Sequence, residues 1–153
     1  MTQKRFALII ATYQYNDADL CQLISSAHDA DALAQVLKDP VIGGFDVCTL
    51  LNKPSREVRV EINTFFADRE RDDLLLLYFS CHGIKDEDGI LYFSTTDTKR
   101  NLLPATAIDS PFANKIMQRT RSRKQVLLLD CRYSGAFTRG TSASAGMAID
   151  TKE

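Results

Sequence analysis

The sequence has no apolar run long enough to cross a bilayer, because the longest, within residues 73–83, falls well short of the ~20 residues that a membrane-spanning helix needs. We also expect no secretory leader, because Met1 to Arg5 is polar and the apolar segment Phe6 to Ala11 is too short and has no cleavage site after it. A formal net charge of −1 gives no general attraction to nucleic acid or anionic membranes. We therefore expect a cytoplasmic protein that binds neither.

Metal-binding and phosphate-binding signatures are also absent. The four cysteines, Cys21, Cys48, Cys81 and Cys131, form no C-x-x-C pair, so a zinc knuckle is not expected and the thiols are interpreted as reduced. There is no glycine-rich phosphate loop, which counts against a small-molecule enzyme of the flavodoxin-like type.

Two apolar runs end in side chains that are able to react. Residues 73–83 read DLLLLYFSCHG and deliver His82, and residues 125–135 read QVLLLDCRYSG and deliver Asp130, Cys131 and Arg132. Runs of this length indicate strands buried on both faces. Because α/β folds keep their sites at the carboxyl ends of parallel strands, we expect the two ends to converge on a histidine and a cysteine.

The remaining pattern alternates strands with helices. It predicts strands at 6–11, 45–51 and 89–94 and helices at 20–37, from 54 to about 72, and from 110 onward, with a polar loop at 95–104. This order predicts an α/β fold whose mostly parallel sheet is flanked by helices on both faces. From Thr138 the periodicity ends, so we predict one domain over 1–137 and a flexible tail or linker over 138–153. The last strand would then be an exposed edge, as in a fold whose final strands are missing.

The two reactive segments carry a family resemblance. YFSCHG resembles the Y-F-S-G-H-G histidine motif, and LLLDCRYSGAF resembles the L-D-x-C-[HY]-S-G nucleophile motif, of bacterial caspase-like cysteine peptidases, the group that includes metacaspases and orthocaspases. The resemblance implies a caspase-like large-subunit domain that needs the strands of a small subunit or an activating partner protein. It also implies an endopeptidase acting on a peptide or protein substrate, in a bacterial stress, cell-death or antiviral pathway.

Residue by residue, the resemblance implies roles for both motifs. His82 falls on the family's general base, and the backbone N–H of Gly83 falls on a group that holds the developing oxyanion. Metacaspase-like enzymes cleave after arginine or lysine, and three pocket positions are matched by Asp29, Ser80 and Asp130, with Ser26 at a neighbouring one. Carboxylates and hydroxyls suit a guanidinium. A solvated helix residue is the alternative interpretation of Asp29, and a strand-end cap that of Asp130.

One position departs from the family pattern. The nucleophile is expected two residues after the aspartate, where this chain has Arg132, which cannot attack a carbonyl. Three explanations stay open: an inactivated protease, a pseudoprotease that binds basic segments or a sister protease, or a backbone bulge that lets Cys131 serve instead. Without a bulge, Cys131 would point to the opposite face from Asp130 and position 132.

No cofactor is expected, although calcium is a weaker possibility. Asp97 and Asp109 lie roughly where some metacaspase relatives bind the ion, and a carboxylate pair at such positions suits a hard cation. The acidic turn at 86–88 is the other candidate, and a run of this kind is usually just solvated.

Overall fold

The computed structural model describes the backbone of residues 3–23, 25–133 and 145–152 and the side chains of 3–23 and 27–132. Within these residues the chain forms seven strands and four α-helices. The strands are β1 Arg5–Ala11, β2 Asp46–Leu51, β3 Leu74–Lys85, β4 Leu91–Phe93, β5 Ile108–Asp109, β6 Lys124–Tyr133 and β7 Ala145–Lys152. The helices are α1 Ser25–Lys38, α2 Ser55–Phe66, α3 Leu103–Thr106 and α4 Ser110–Arg119, with a 3-10 turn at Arg100–Leu102.

Strand β3 lies at the centre of a single sheet. It runs parallel to β1 on one side and to β6 on the other, and β1 in turn pairs in parallel with β2. Strand β3 extends beyond the end of β1, and its last residues pair antiparallel with β4, which pairs with β5. The sheet is therefore mixed, with a parallel centre built from the most apolar strands of the sequence.

Helices cover both faces of the sheet, as the sequence predicts. On one face, odd-numbered residues of β3 such as Leu77 and Phe79 pack in one cluster with residues of α2 and α4, among them Ile62 and Met117. On the other face, Tyr78 packs in a cluster with residues of α1. Successive side chains of a strand point to opposite faces, so each apolar strand feeds both cores.

Helix boundaries differ from the periodic pattern. Helix α1 begins at Ser25 rather than at Leu20. Leu20 and Leu23 belong to the preceding loop, and their side chains are buried in a cluster that also holds Tyr15. Helix α2 ends at Phe66 rather than near residue 72, since Ala67 is extended and Asp68 takes a positive φ of 54°. Residues 95–104, expected as polar loop, hold the 3-10 turn and the start of α3. Apolar spacing alone does not distinguish a buried loop leucine from a helical one.

Strand β7 lies within the segment 138–153 that the sequence predicts as a flexible tail or linker. Residues 145–152 pair antiparallel with β6, from Arg132 opposite Ala145 to Gln125 opposite Lys152. Strand β6 is therefore paired on both sides, and the expected exposed edge is not at β6. A ladder of this kind depends on backbone groups, so a stretch rich in alanine and glycine gives little sequence signal for it. Residues 138–144 lie outside the described residues, and the division of the chain at 137/138 stays a prediction.

Candidate active site

The two reactive segments lie side by side. In the ladder between β3 and β6, Ser80 is opposite Asp130, Cys81 opposite Cys131 and His82 opposite Arg132. Because side chains alternate along each strand, His82 and Arg132 share the face of the sheet that carries α1, together with Asp130. The sequence-based expectation that the histidine and position 132 meet at neighbouring strand ends agrees with this placement.

The imidazole of His82 is held in one orientation. The side chain is only 6% exposed, and its Nε2 lies 2.7 Å from the backbone carbonyl oxygen of Cys21. A carbonyl oxygen only accepts, so Nε2 must carry the proton and Nδ1 the lone pair of the neutral ring. Among the described residues, Nδ1 has no hydrogen-bond partner. A ring nitrogen with a lone pair and no partner is able to accept a proton.

The surroundings keep His82 neutral. Burial is the main cause that lowers the pKa of its imidazole below the usual 6.5, and the positive charges of Arg132 and Arg100 lower it further. The backbone groups of Cys21 and Arg132 act in the opposite direction. In the unfolded chain His82 takes up a proton near pH 6.5, whereas the folded chain does so only at lower pH. Its contribution to stability is therefore present above pH 6.5 and is lost as the pH falls toward the folded pKa.

Replacing Arg132 by alanine should raise the pKa of His82, because a nearby cation disfavours the imidazolium. Arg100→Ala should raise it by less, since its charge contributes less. The measurement is a titration of the His82 ring resonances by NMR in a chain with only two histidines. Lys38→Ala, at the end of α1, is the matched control. An unchanged pKa in Arg132→Ala would show that the guanidinium does not act on this imidazole.

A cluster of polar side chains, Tyr78, Ser80 and Asp130, lies on the same face as the histidine and is called the slot below. The hydroxyl of Tyr78 donates to Oδ2 of Asp130 at 3.1 Å, and Ser80, two residues along β3, is 1% exposed. Burial raises the pKa of Tyr78, and the charges of Asp130 and, more weakly, Asp29 raise it further. Asp29 itself is exposed on α1. The structure thus brings Ser80 and Asp130 together and leaves Asp29 within electrostatic range.

Sequence reasoning overlooked Tyr78, although its spacing from Ser80 and His82 puts all three on one face. The side chain of Ser26 lies outside the described residues. Gly83 is buried and paired with Phe93 of β4 and Tyr133 of β6, next to the histidine as expected. Its oxyanion role stays a prediction.

Cys131 lies on the opposite side of the sheet from His82. It is fully buried in the cluster that holds residues of α2 and α4, with its Sγ 3.8 Å from the Sγ of Cys81. Pairing is continuous through residues 130–133, so the bulge that Cys131 would need in order to serve as nucleophile is absent from the described ladder. The hydrogen bond with the Cys131 thiol, followed by burial, raises the pKa of Cys81 well above its usual value.

Only two of the four thiols should react with iodoacetamide in the native chain. Cys21 and Cys48 are exposed, whereas Cys81 and Cys131 are buried, and a buried thiol is shielded from the reagent. Intact mass and peptide mapping should find two adducts in buffer and four in denaturant. Labelling of Cys131 as fast as Cys21 would contradict its placement in the core.

The two calcium candidates have structural partners. Asp97 accepts hydrogen bonds from the backbone of Ser55, the first residue of α2, and from the hydroxyl of Thr95. Asp109 caps α4 by accepting from Phe112 and pairs with Arg59 at 3.2 Å. In the described part of the chain, no group of three or more His, Cys, Asp or Glu residues could hold a metal ion. Asp109 is thus the N-cap of α4, and Asp97 accepts from a free N–H in the first turn of α2.

Comparison with known proteins adds a family-level match. The sequence profile of the caspase domain matches residues 4–152. Among solved structures, a protein from Geobacter sulfurreducens is similar with a TM-score of 0.66 and 18% identity over 88% of this chain and 52% of its own. Caspase-1 from Spodoptera frugiperda is similar with a TM-score of 0.62 and 21% identity over 85% of this chain and 48% of its own. The chain thus spans about half the length of each. No curated protein sequence matches it. Within the described residues, no helix is long and apolar enough to cross a membrane.

Proposed function

The chain belongs to the caspase domain family of cysteine peptidases, and from that premise we propose that it is the scaffold of an endopeptidase that cleaves after arginine or lysine. The observation that carries the proposal is the register of β3 and β6, which sets His82 directly beside position 132. A base and a nucleophile must lie within hydrogen-bond reach, and in-register positions whose side chains share one face of neighbouring strands support such an arrangement.

The chemistry assigns one step to each group. With a thiol at position 132, Nδ1 of His82 would take its proton, and the thiolate would attack the peptide carbonyl to form a tetrahedral intermediate. The imidazolium would then protonate the amine as the C–N bond breaks, which leaves a thioester, and water would hydrolyse the thioester to the acid and the free thiol. The backbone N–H of Gly83 and that of position 132 are the candidate donors to the oxyanion. The neutral state of His82 near pH 7 supports its role as the base.

The slot beside His82 supports a basic substrate side chain. The carboxylate of Asp130 and the hydroxyls of Tyr78 and Ser80 line one face, and Asp29 adds a second negative charge nearby. A guanidinium makes short, charge-assisted hydrogen bonds to carboxylates, whereas an aspartate side chain would be repelled there. This favours cleavage after arginine or lysine over cleavage after aspartate.

A second candidate function is a binding module. Arg132 is observed at the nucleophile position, and a guanidinium is always protonated and cannot attack a carbonyl. A chain that keeps the slot without the thiol would recruit basic segments, or a sister protease, without cutting them. In either case we propose a cytoplasmic protein in a stress, cell-death or antiviral pathway, completed by a small-subunit segment or an activating partner.

Fluorogenic peptides ending in arginine, lysine or aspartate distinguish the candidates. The protease proposal predicts that the chain with Arg132→Cys, assayed with the small-subunit segment present, cleaves after arginine and lysine and not after aspartate. The module proposal predicts that this variant stays silent while the chain as it stands binds an arginine peptide, measured by fluorescence anisotropy. Cleavage after aspartate alone would contradict both.

A further inference from the structure

The loop of residues 12–23 reaches His82 at two points. Its far end supplies the carbonyl oxygen of Cys21 that accepts from the imidazole Nε2. Its near end supplies Tyr15, whose hydroxyl accepts a hydrogen bond from the backbone N–H of His82 at 3.0 Å. The Tyr15 ring also lies against the imidazole, with the ring centroids 5.0 Å apart and the planes tilted by 45°.

Tyr15 fills a gap in the sheet. Strand β1 ends at Ala11, and the last backbone bond from that side reaches β3 from the N–H of Thr12 to the carbonyl of Ser80. Strand β4 begins to pair only at Gly83. The N–H and C=O of His82 point toward the β1 and β4 side of β3, as the C=O of Ser80 does, because the backbone groups of alternate residues in a strand face the same neighbouring strand. No strand supplies a partner for its N–H there, so the Tyr15 hydroxyl does.

Ser94 fixes the other backbone group of His82. Its N–H and its hydroxyl both donate to the His82 carbonyl oxygen, at 3.0 and 2.8 Å. The same hydroxyl lies 2.9 Å from the hydroxyl of Tyr15, which donates to the carbonyl of Thr12 at 3.1 Å. Ser94 has one hydroxyl proton for two acceptors and donates to one at a time. Tyr15 is 6% exposed, and burial raises its pKa far above the usual range, so its hydroxyl stays protonated.

Gln22 links the two points of contact. Its side-chain carbonyl accepts from the N–H of Tyr15 at 2.8 Å, and its side-chain amide donates to the carbonyl of Tyr15 at 3.1 Å. Gln22 directly follows Cys21 in the chain. The two hydrogen bonds therefore fix the position of Tyr15, which holds the backbone of His82, relative to Cys21, which holds its ring. A second loop bond, from Leu23 N–H to the Tyr13 carbonyl at 2.9 Å, supports the same closure.

We propose that Tyr15 and Gln22 are positioning residues for His82: they hold its backbone and the Cys21 carbonyl in one frame, so that Nδ1 is directed toward position 132. The inference rests on the proposed function for its catalytic consequence only. A base misplaced by a fraction of an ångström transfers protons poorly, so loss of the frame lowers turnover rather than substrate binding.

The test compares Tyr15→Phe with Tyr13→Phe. The second change also removes a hydroxyl from the loop, but from a side chain for which the described residues show no hydrogen bond or ring contact to His82. In the Arg132→Cys chain, Tyr15→Phe should lower kcat about 10- to 100-fold with KM within about twofold, and Tyr13→Phe should change neither. Equal kcat in the two variants would overturn the proposal.

A readout without catalysis keeps the inference separate from the proposed function. In the chain with Arg132, nitrogen-15 NMR should show His82 with its proton on Nε2, and Tyr15→Phe should shift the His82 ring resonances while those of His28, exposed on α1, stay in place. Gln22→Ala is a second variant, at an exposed position where the fold should be kept. It should speed solvent exchange of the Nε2 proton of His82. Unchanged His82 signals in both variants would overturn the proposal even if the Arg132→Cys chain proves active, and changed signals would support it even if that chain is silent.

Discussion

Arg132→Cys is expected to make the chain, with the small-subunit segment present, an endopeptidase whose rate of cleavage after arginine is at least ~10³-fold above that of the chain with Arg132. The reason is geometric. Position 132 is in register with His82 on the neighbouring parallel strand, on the same face of the sheet, and Nδ1 of His82 has no other hydrogen-bond partner among the described residues. A thiol there meets a neutral base, and removing the Arg132 charge makes that base stronger. The measurement is kcat/KM with an arginine-ended fluorogenic peptide.

Two further changes in the Arg132→Cys chain serve as controls. His82→Gln, which keeps a polar side chain of similar size, should return the rate to the starting level. Cys131→Ala should leave the rate within about twofold, because that thiol is buried on the other face of β6. The account would be contradicted if the chain with Arg132 already cleaved the peptide and Cys131→Ala abolished the activity.

The second large effect concerns the slot. In the Arg132→Cys background, Asp130→Asn should lower kcat/KM for arginine-ended peptides about 10- to 100-fold, the loss expected when a charged hydrogen bond to a guanidinium is removed. The change is nearly isosteric, and the amide oxygen still accepts from Tyr78, so the fold should be kept. The pKa of Tyr78 should fall at the same time, since the Asp130 charge is one of the causes that raise it.

Two neighbouring aspartates calibrate this result. Asp29→Asn should have a smaller effect in the same direction, because Asp29 is exposed and acts at longer range. Asp31→Asn, exposed two residues further along α1, should have none. If Asp130→Asn left the preference for arginine over aspartate unchanged, the slot would not be the specificity pocket.

The central strands could be predicted from the sequence because their cause is local. The apolar parts of the two runs, 74–79 and 126–129, place apolar side chains on both faces of a strand, and a parallel strand with helices on both faces of its sheet buries such a run. In each run the key residue, His82 or Arg132, comes three residues after the last apolar residue, Phe79 or Leu129. Aligning the ends of the apolar parts therefore places the two in register. Strand β7 could not be predicted in this way: its backbone pairs with β6, while its sequence has little of the alternation that marks a strand.

The candidate site was predictable in its side chains and not in its backbone contacts. The shared face of His82 and position 132 follows from strand alternation, and Tyr78 could have been found by the same rule. The partner of His82 Nε2 could not, because a backbone carbonyl carries no residue signature and Cys21 is 61 positions away in sequence. Tyr15 is 67 positions away from His82, and in the sequence nothing distinguishes it from other aromatic loop residues, because its role depends on the gap between β1 and β4.

The most direct measurement maps the adduct that an arginyl chloromethyl ketone forms with the Arg132→Cys chain. The reagent places an arginine side chain in the slot and a reactive carbon beside the nucleophile, and peptide mass mapping identifies the alkylated thiol. The account predicts a single adduct at position 132 that is lost in His82→Gln and strongly reduced in Asp130→Asn. An adduct on Cys131, or labelling at position 132 that is indifferent to both changes, would contradict it.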